Sequence, residues 1–365
     1  MAVLEWGGGS VSSRVCVAIL VGAVAVTLSG CGVRLEGDPP AFPSPDEVTV
    51  ARDSLADAVA GIVEAAGREG ADADEVAVGA SDAAAAHLEV LGGVYVAYPS
   101  ASPSSDDDAT TSPTLQPTLS DAVATAREIA ATVAATTADA DLAFLARSMD
   151  LEWALRELWA VEEATAAQAE AEAATASAAP TAPPTGEADA TDETPGDADP
   201  RWFPLADGSI NFTAGFVPTA TTGVASTGLA QETLTVLALK EDEARFAYET
   251  LAAQEFGPRR TDALGRSRLH AERSDTLATL LDADPRTPLY QVRDTDLLDP
   301  DSRRSLERSL EADLAWRYAA LLDGASADDA AWLLNASFDA YARAMRTDGF
   351  TAADVPTLPG LTVIP

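Results

Sequence analysis

Glu241, His270 and Glu311 are the residues of this 365-residue chain whose types and spacing best suit chemistry. Each lies in a stretch whose apolar residues recur at alternating threes and fours, the period of a helix packed in a bundle. In "LTVLALKEDEARFAYETL" (234–251), Glu241 interrupts the stripe Leu234, Leu237, Ala244, Tyr248, Leu251. In 259–281, His270 sits in the middle of Ala263, Ser267, Ser274, Leu277 and Leu281. In 301–322 the stripe is Leu306, Leu310, Leu314 and Leu321, flanked by Glu311, Asp313, Arg317 and Tyr318. A glutamate on an inward stripe is a metal ligand, a catalytic base or one half of a buried ion pair. Left ionised and unpaired, it would cost on the order of several kcal/mol, so a partner is required. The spacing brings Glu241 and His270 to similar heights on neighbouring helices. The expected buried polar cluster is therefore Glu241, His270, Arg317 and Glu311, with Arg273 as a further candidate cation.

Metal chemistry is tested by the donor set. A di-iron centre in a four-helix bundle takes two lone glutamates and two Glu-x-x-His pairs. Here Ser267 stands three residues before His270, and the last helical stretch, 327–347, has no histidine. The other histidine, His87 in "AAAAHLEVLGG", has Ala84 at that position and reads as a core or surface residue. No metal or cofactor is expected, and a single ion on Glu241, His270 and Glu311 is the alternative. No Gly-x-Ser-x-Gly elbow, Gly-rich phosphate loop or Cys–His pair is present, so no catalytic residue is assigned.

The elements that must position these side chains are helices throughout. Four are expected between 44 and 176: one from Ser44, with Pro45 and Glu47 completing a capping box, to Gly67, then about 81–91, 119–135 and from 138 onward. Four more are expected at about 231–256, 259–281, 301–322 and 327–347, the last capped by Ser326 with Asp329 in the box position. His87 and His270 lie alike on small-residue faces, as a degenerate duplication would place them. Between the two sets, 177–228 begins with a run rich in Ala, Pro, Thr and acid, and reads as a disordered or irregular linker. The expected fold is all-α: a four-helix bundle at 229–348 preceded by a second helical, four-helix unit at 44–176, with a tail at 349–365.

The N-terminus reads as a lipoprotein signal. Arg14 precedes an apolar run from Val15 to Leu28, too short to span a bilayer comfortably, and Leu28-Ser29-Gly30-Cys31 resembles the bacterial lipobox. Residues 1–30 are the expected signal peptide, Cys31 the lipidated residue and 31–43 a tether. Cys16 leaves with the signal, so no thiol remains for a disulfide or a nucleophile. The net charge of −36 is uneven: residues 31–200 hold 33 acids and 6 bases (−27), residues 201–365 hold 25 and 16 (−9). Such a surface repels phosphate backbones and argues against nucleic-acid binding.

Three stretches carry a family resemblance: "LALKEDEARFAYETLA" with Glu241, "RLHAERSDTLATLL" with His270, and "SLERSLEADLAWRYAALL" with Glu311. Over about 229–346 the chain resembles the ferritin-like domain of unknown function found in actinobacterial lipoproteins. The resemblance implies a four-helix bundle of ferritin-like topology and no known activity. The expected role is binding or structural, at the outer face of the cell membrane, through the lipid on Cys31 and an envelope protein or solute as partner. The alternative is a metal-binding or oxidoreductase protein using Glu241 and His270.

Overall fold

Helical periodicity becomes helix wherever the chain is described. The computed structural model describes residues 44–69, 75–94, 116–178, 227–287, 289–347 and 350–361. Among them are eight α-helices and no strand, so the protein is all-α. The first four are α1 (Glu47–Glu69), α2 (Glu75–Leu91), α3 (Leu119–Thr136) and α4 (Ala140–Ala178). The second four are α5 (Gln231–Gln254), α6 (Gly257–Ala278), α7 (Pro300–Ala320) and α8 (Ala327–Met345). The expected signal, Cys31 and the tether lie outside the described residues, as do residues 179–226 of the expected linker. No described helix is long and apolar enough to cross a membrane.

Local chemistry sets most helix ends. Asp46, not Ser44, opens α1: its Oδ1 accepts the Thr49 N–H at 2.8 Å, and a carboxylate suits the positive end of a helix better than a hydroxyl. Thr118 and Asp121 form a reciprocal capping box at α3. Ser326 accepts from the Asp329 N–H at α8, as its sequence spacing requires. Gly257, at φ 58°, and Pro258 both end α5 and begin α6, because glycine turns the chain and proline fits a first helical turn. Helix α2 starts at Glu75, six residues before the periodic signal at Ser81. Its added turn carries β-branched residues of weak helix propensity and Gly79, where a Cβ would stand 3.2 Å from Arg156 Nη1.

The helices pair as hairpins, α1 with α2, α3 with α4, α5 with α6 and α7 with α8. One core gathers Leu55, Ile62, Ala126, Val133, Met149 and Trp153; a second gathers Leu234, Leu237, Leu314, Tyr318, Phe338 and Leu333. Helix α4 belongs to both. Met149 and Trp153 face the first core while Leu151 and Leu155 face the second, which is why its first half reads as an unbroken apolar run. All eight helices lie in one compact unit, residues 46–365. The described part of the expected tail, 350–361, is packed as well: Val355 enters the second core and Leu358 the first.

Candidate functional site

Four helices bring ionisable side chains to one buried point in the second core. Helix α5 supplies Glu241 and, two turns on, Tyr248. Helix α7 repeats the pattern with Glu311 and Tyr318. The tyrosines cross over: Tyr248 donates to Glu311 Oε1 at 2.7 Å, and Tyr318 donates to Glu241. Reciprocal pairing of equally spaced residues requires α5 and α7 to run antiparallel. Helix α6 contributes Arg266, His270 and Arg273, whose four- and three-residue steps place them on one face. Helix α8 contributes Asp339.

The contacts form a closed ring of alternating charge. His270 Nδ1 meets Glu241 Oε2 at 2.5 Å, and its Nε2 lies 3.3 Å from Glu311 Oε1. Arg266 forks onto Glu311, Nε to Oε1 at 2.6 Å and Nη2 to Oε2 at 2.5 Å, while its Nη1 reaches Asp339 Oδ2 at 2.6 Å. Arg273 Nη2 meets the same Asp339 oxygen at 2.7 Å, and Arg273 Nη1 stands 3.7 Å from Glu241 Oε1. Three carboxylates thus face two guanidiniums and one imidazole, all buried. Tyr248 stacks on the imidazole with ring centroids 5.4 Å apart.

Electrostatics favours the fully charged set. Burial works to raise the Glu241 carboxyl, but His270, Arg273 and the Tyr318 hydroxyl outweigh it and hold the group below its ordinary range. Burial acts likewise on Glu311, which Arg266 and His270 hold well below, and on Asp339, lowered by both arginines. Burial opposes the imidazolium, yet Glu241 and Glu311 outweigh it and raise His270 above its usual value. With His270 protonated, three negative charges meet three positive ones.

Glu241, His270 and Glu311 therefore come together as their spacing predicts. Arg317 does not join them. It pairs with Asp313 at 2.9 Å on the outside of α7, its side chain 29% exposed. Glu311 and Tyr318 are central to the inward face of α7 rather than flanking it, so Arg317, about 100° further round from Tyr318, points away. Leu306, Leu310 and Leu321 are correspondingly only half-buried. Arg266, Asp339 and the cross-over role of the tyrosines are the parts that periodicity missed. The twice-repeated Glu-x6-Tyr spacing was the available signal, together with arginines flanking His270 on its own face.

The donor set does not fit a resident metal. Arg266 takes both oxygens of Glu311, and Arg266 and Arg273 share Asp339, so cations of the protein already occupy the carboxylate lone pairs. Among the described residues no group of three or more His, Cys, Asp or Glu has metal-holding geometry.

A smaller cluster lies in the first core. His87 Nε2 meets Glu152 Oε2 at 2.7 Å, Arg156 forks onto Glu152 Oε1, and the Leu358 N–H donates to Glu152 Oε2 at 2.8 Å. Burial works to raise Glu152, but His87, Arg156 and the Leu358 amide hold it below its ordinary range. His87 is thus a core histidine edge-on to Trp153.

No family model, curated protein or solved structure matches this chain. The functional reading rests on its own residues.

Proposed function

We propose that the chain is an exported lipoprotein, anchored through Cys31 at the outer face of the cell membrane, in which a ferritin-like bundle serves a binding or structural role at the envelope. The observation that carries the structural part is the saturation of the α5–α8 centre. Every carboxylate there is matched by a guanidinium or imidazolium, and a matched, closed cluster ties helices together rather than offering an atom to a substrate. The antiparallel α5 and α7, with a long connection over residues 279–299 between α6 and α7, support the ferritin-like topology, in which one long crossover joins two hairpins. The anchor rests on Leu28-Ser29-Gly30-Cys31, since two acyl chains hold a protein stably on a membrane where one does not. The partner would be an envelope protein or solute.

Fractionation tests the anchor. Cys31→Ser should release the protein from membranes or leave its signal uncut; a normally trimmed, membrane-bound mutant would sink the reading. Elemental analysis of protein purified without a histidine tag tests the centre. Stoichiometric iron, manganese or zinc, lost together with stability on chelation, would restore the alternative in which Glu241 and His270 are ligands.

A further inference from the structure

Away from the buried centre, α6 turns a mixed cationic and apolar ridge to solvent. Phe256, its N-cap residue, is followed at four-residue steps by Arg260, Leu264 and Arg268, so the four line up along one side. All are exposed, Phe256 by 85% and Leu264 by 36%. A Cβ at Gly257 or Gly265 would meet nothing within 4 Å, so a chain has room to lie beside the ridge. Single exposed apolar side chains are ordinary on a protein surface. Four aligned positions alternating between apolar and cationic call for a partner.

Charge says which partner. The arginines of the neighbouring cleft are matched, Arg259 with Glu255 and Glu307, Arg304 with Asp301, Arg343 with Asp262 and Arg346 with Glu162. Those of the ridge are not. Arg260 has no acidic partner among the described residues, and Arg268 only returns its Nε–H to the Leu264 carbonyl at 3.3 Å. The complementary pattern stands in this chain's own sequence, outside the described residues. Residues 187–199 carry six acids, Glu187, Asp189, Asp192, Glu193, Asp197 and Asp199, and no base; Trp202 and Phe203 follow.

Spacing agrees with charge. Eight residues of helix set Arg260 and Arg268 about 12 Å apart along the axis. An extended, proline-containing chain advances about 3.1 Å per residue, so Glu193 and Asp197, flanking Thr194-Pro195-Gly196, would also stand about 12 Å apart. Reach is ample. At that rise the 30 residues from Asp197 to Thr227, which Asp329 holds, cover about 90 Å, against about 36 Å for the whole of α5.

We propose that the α6 ridge is an intramolecular docking surface for residues 187–203, with Glu193 on Arg268, Asp197 on Arg260, and Trp202 and Phe203 against Phe256. Exposed ion pairs are weak one at a time and are screened by salt. Tethering compensates, because a segment of the same chain meets the ridge at an effective concentration in the millimolar range. The proposal needs neither the lipid anchor nor the buried centre, so its failure leaves those readings untouched.

Limited digestion of the purified full chain with chymotrypsin, whose apolar slot accepts Trp202, tests it. Cleavage at Trp202 follows the undocked population when docking is fast. Arg260→Glu combined with Arg268→Glu should speed that cleavage about fivefold or more, the effect of losing two exposed pairs, while the melting curve stays unchanged. Adding Glu193→Arg and Asp197→Arg to this variant should restore the slow wild-type rate, which a merely structural role for the arginines would not do. High salt should speed cleavage in wild type and not in the double-glutamate variant. Arg293→Ala, a solvent-exposed arginine outside the ridge, should change nothing. Equal cleavage of wild type and the double-glutamate variant, or no rescue by the charge swap, would overturn the proposal. Protection that grows with protein concentration would also overturn it, by assigning the ridge to the segment of a second copy.

Discussion

Glu241 sits among apolar neighbours because His270, Arg273 and Tyr318 receive it. Removing its charge should leave cations buried without their match. Glu241→Gln, nearly isosteric, is expected to destabilise by about 3–5 kcal/mol in urea unfolding, with or without chelator. A loss below about 1 kcal/mol would mean the ring is not held by this carboxylate. His270 gives the cluster a pH dependence whose sign follows from its raised pKa. Its contribution is fully present below the ordinary histidine value of about 6.5 and is lost as pH rises through the folded value. Glu241, Glu311 and Asp339 are lowered, so theirs is present above about pH 4 and is lost as pH falls through their folded values. Melting temperature should therefore decline on the alkaline side in wild type, and His270→Gln should flatten that decline. Identical alkaline slopes in the two proteins would count against a protonated His270.

At the scale of the element, α8 is anchored at its first turn by Asp329. Its carboxylate accepts from the Thr227 hydroxyl at 2.5 Å, the Gly228 N–H at 2.9 Å and the Trp332 indole at 3.2 Å, besides closing the Ser326 cap. Burial works to raise this group, but those donors hold it below its ordinary range. A cap that also ties down the incoming chain does more than satisfy a helix end. Asp329→Ala should cost about 1–3 kcal/mol, and Asp329→Asn, which keeps one acceptor oxygen, distinctly less. Equal unfolding midpoints for the two variants would show that the cap carries no specific hydrogen bonding. Helix α8 needs such an anchor because it is buried on nearly every side from Ala336 to Ala342, so a shift in its register would disturb the whole second core.

At the scale of the molecule, the C-terminal segment binds the two helical sets together. Leu358 adopts φ 48°, a conformation costly for a branched side chain, and is held there by Glu152 of α4 and by burial in the first core. Ser148 donates to the Pro359 carbonyl at 2.7 Å. Gly360, at φ 89°, passes so close to α7 that a Cβ would lie 2.5 Å from the Ala319 carbonyl oxygen. Only glycine fits both the conformation and the gap. Gly360→Ala should lift the segment from α7 and lower the melting temperature by a few degrees, at about 1–2 °C per kcal/mol for a chain of this size, because unfolding entropy grows with length. Gly265→Ala, in the interior of α6 with open space around it, should be neutral or stabilising and serves as the control. Calorimetry in which both variants melt together would refute this role.

The all-α class, the existence of eight helices and the meeting of Glu241 with His270 were legible in the sequence alone. Each depends on periodicity, which local geometry imposes on any helix that buries one face, whatever it packs against. The partners of Glu241 and Glu311 were not legible in full. An arginine on a helix ordinarily points to solvent, and only the convergence of four helices places Arg266 between Glu311 and Asp339 while leaving Arg317 outside. Nor was the packing of 350–361, which has no period because its contacts come one residue at a time from separate helices, Ser148 and Glu152 of α4 and Ala319 of α7 among them. Periodicity encodes what one helix does with its own faces; which charges are neighbours is a property of how the helices are assembled.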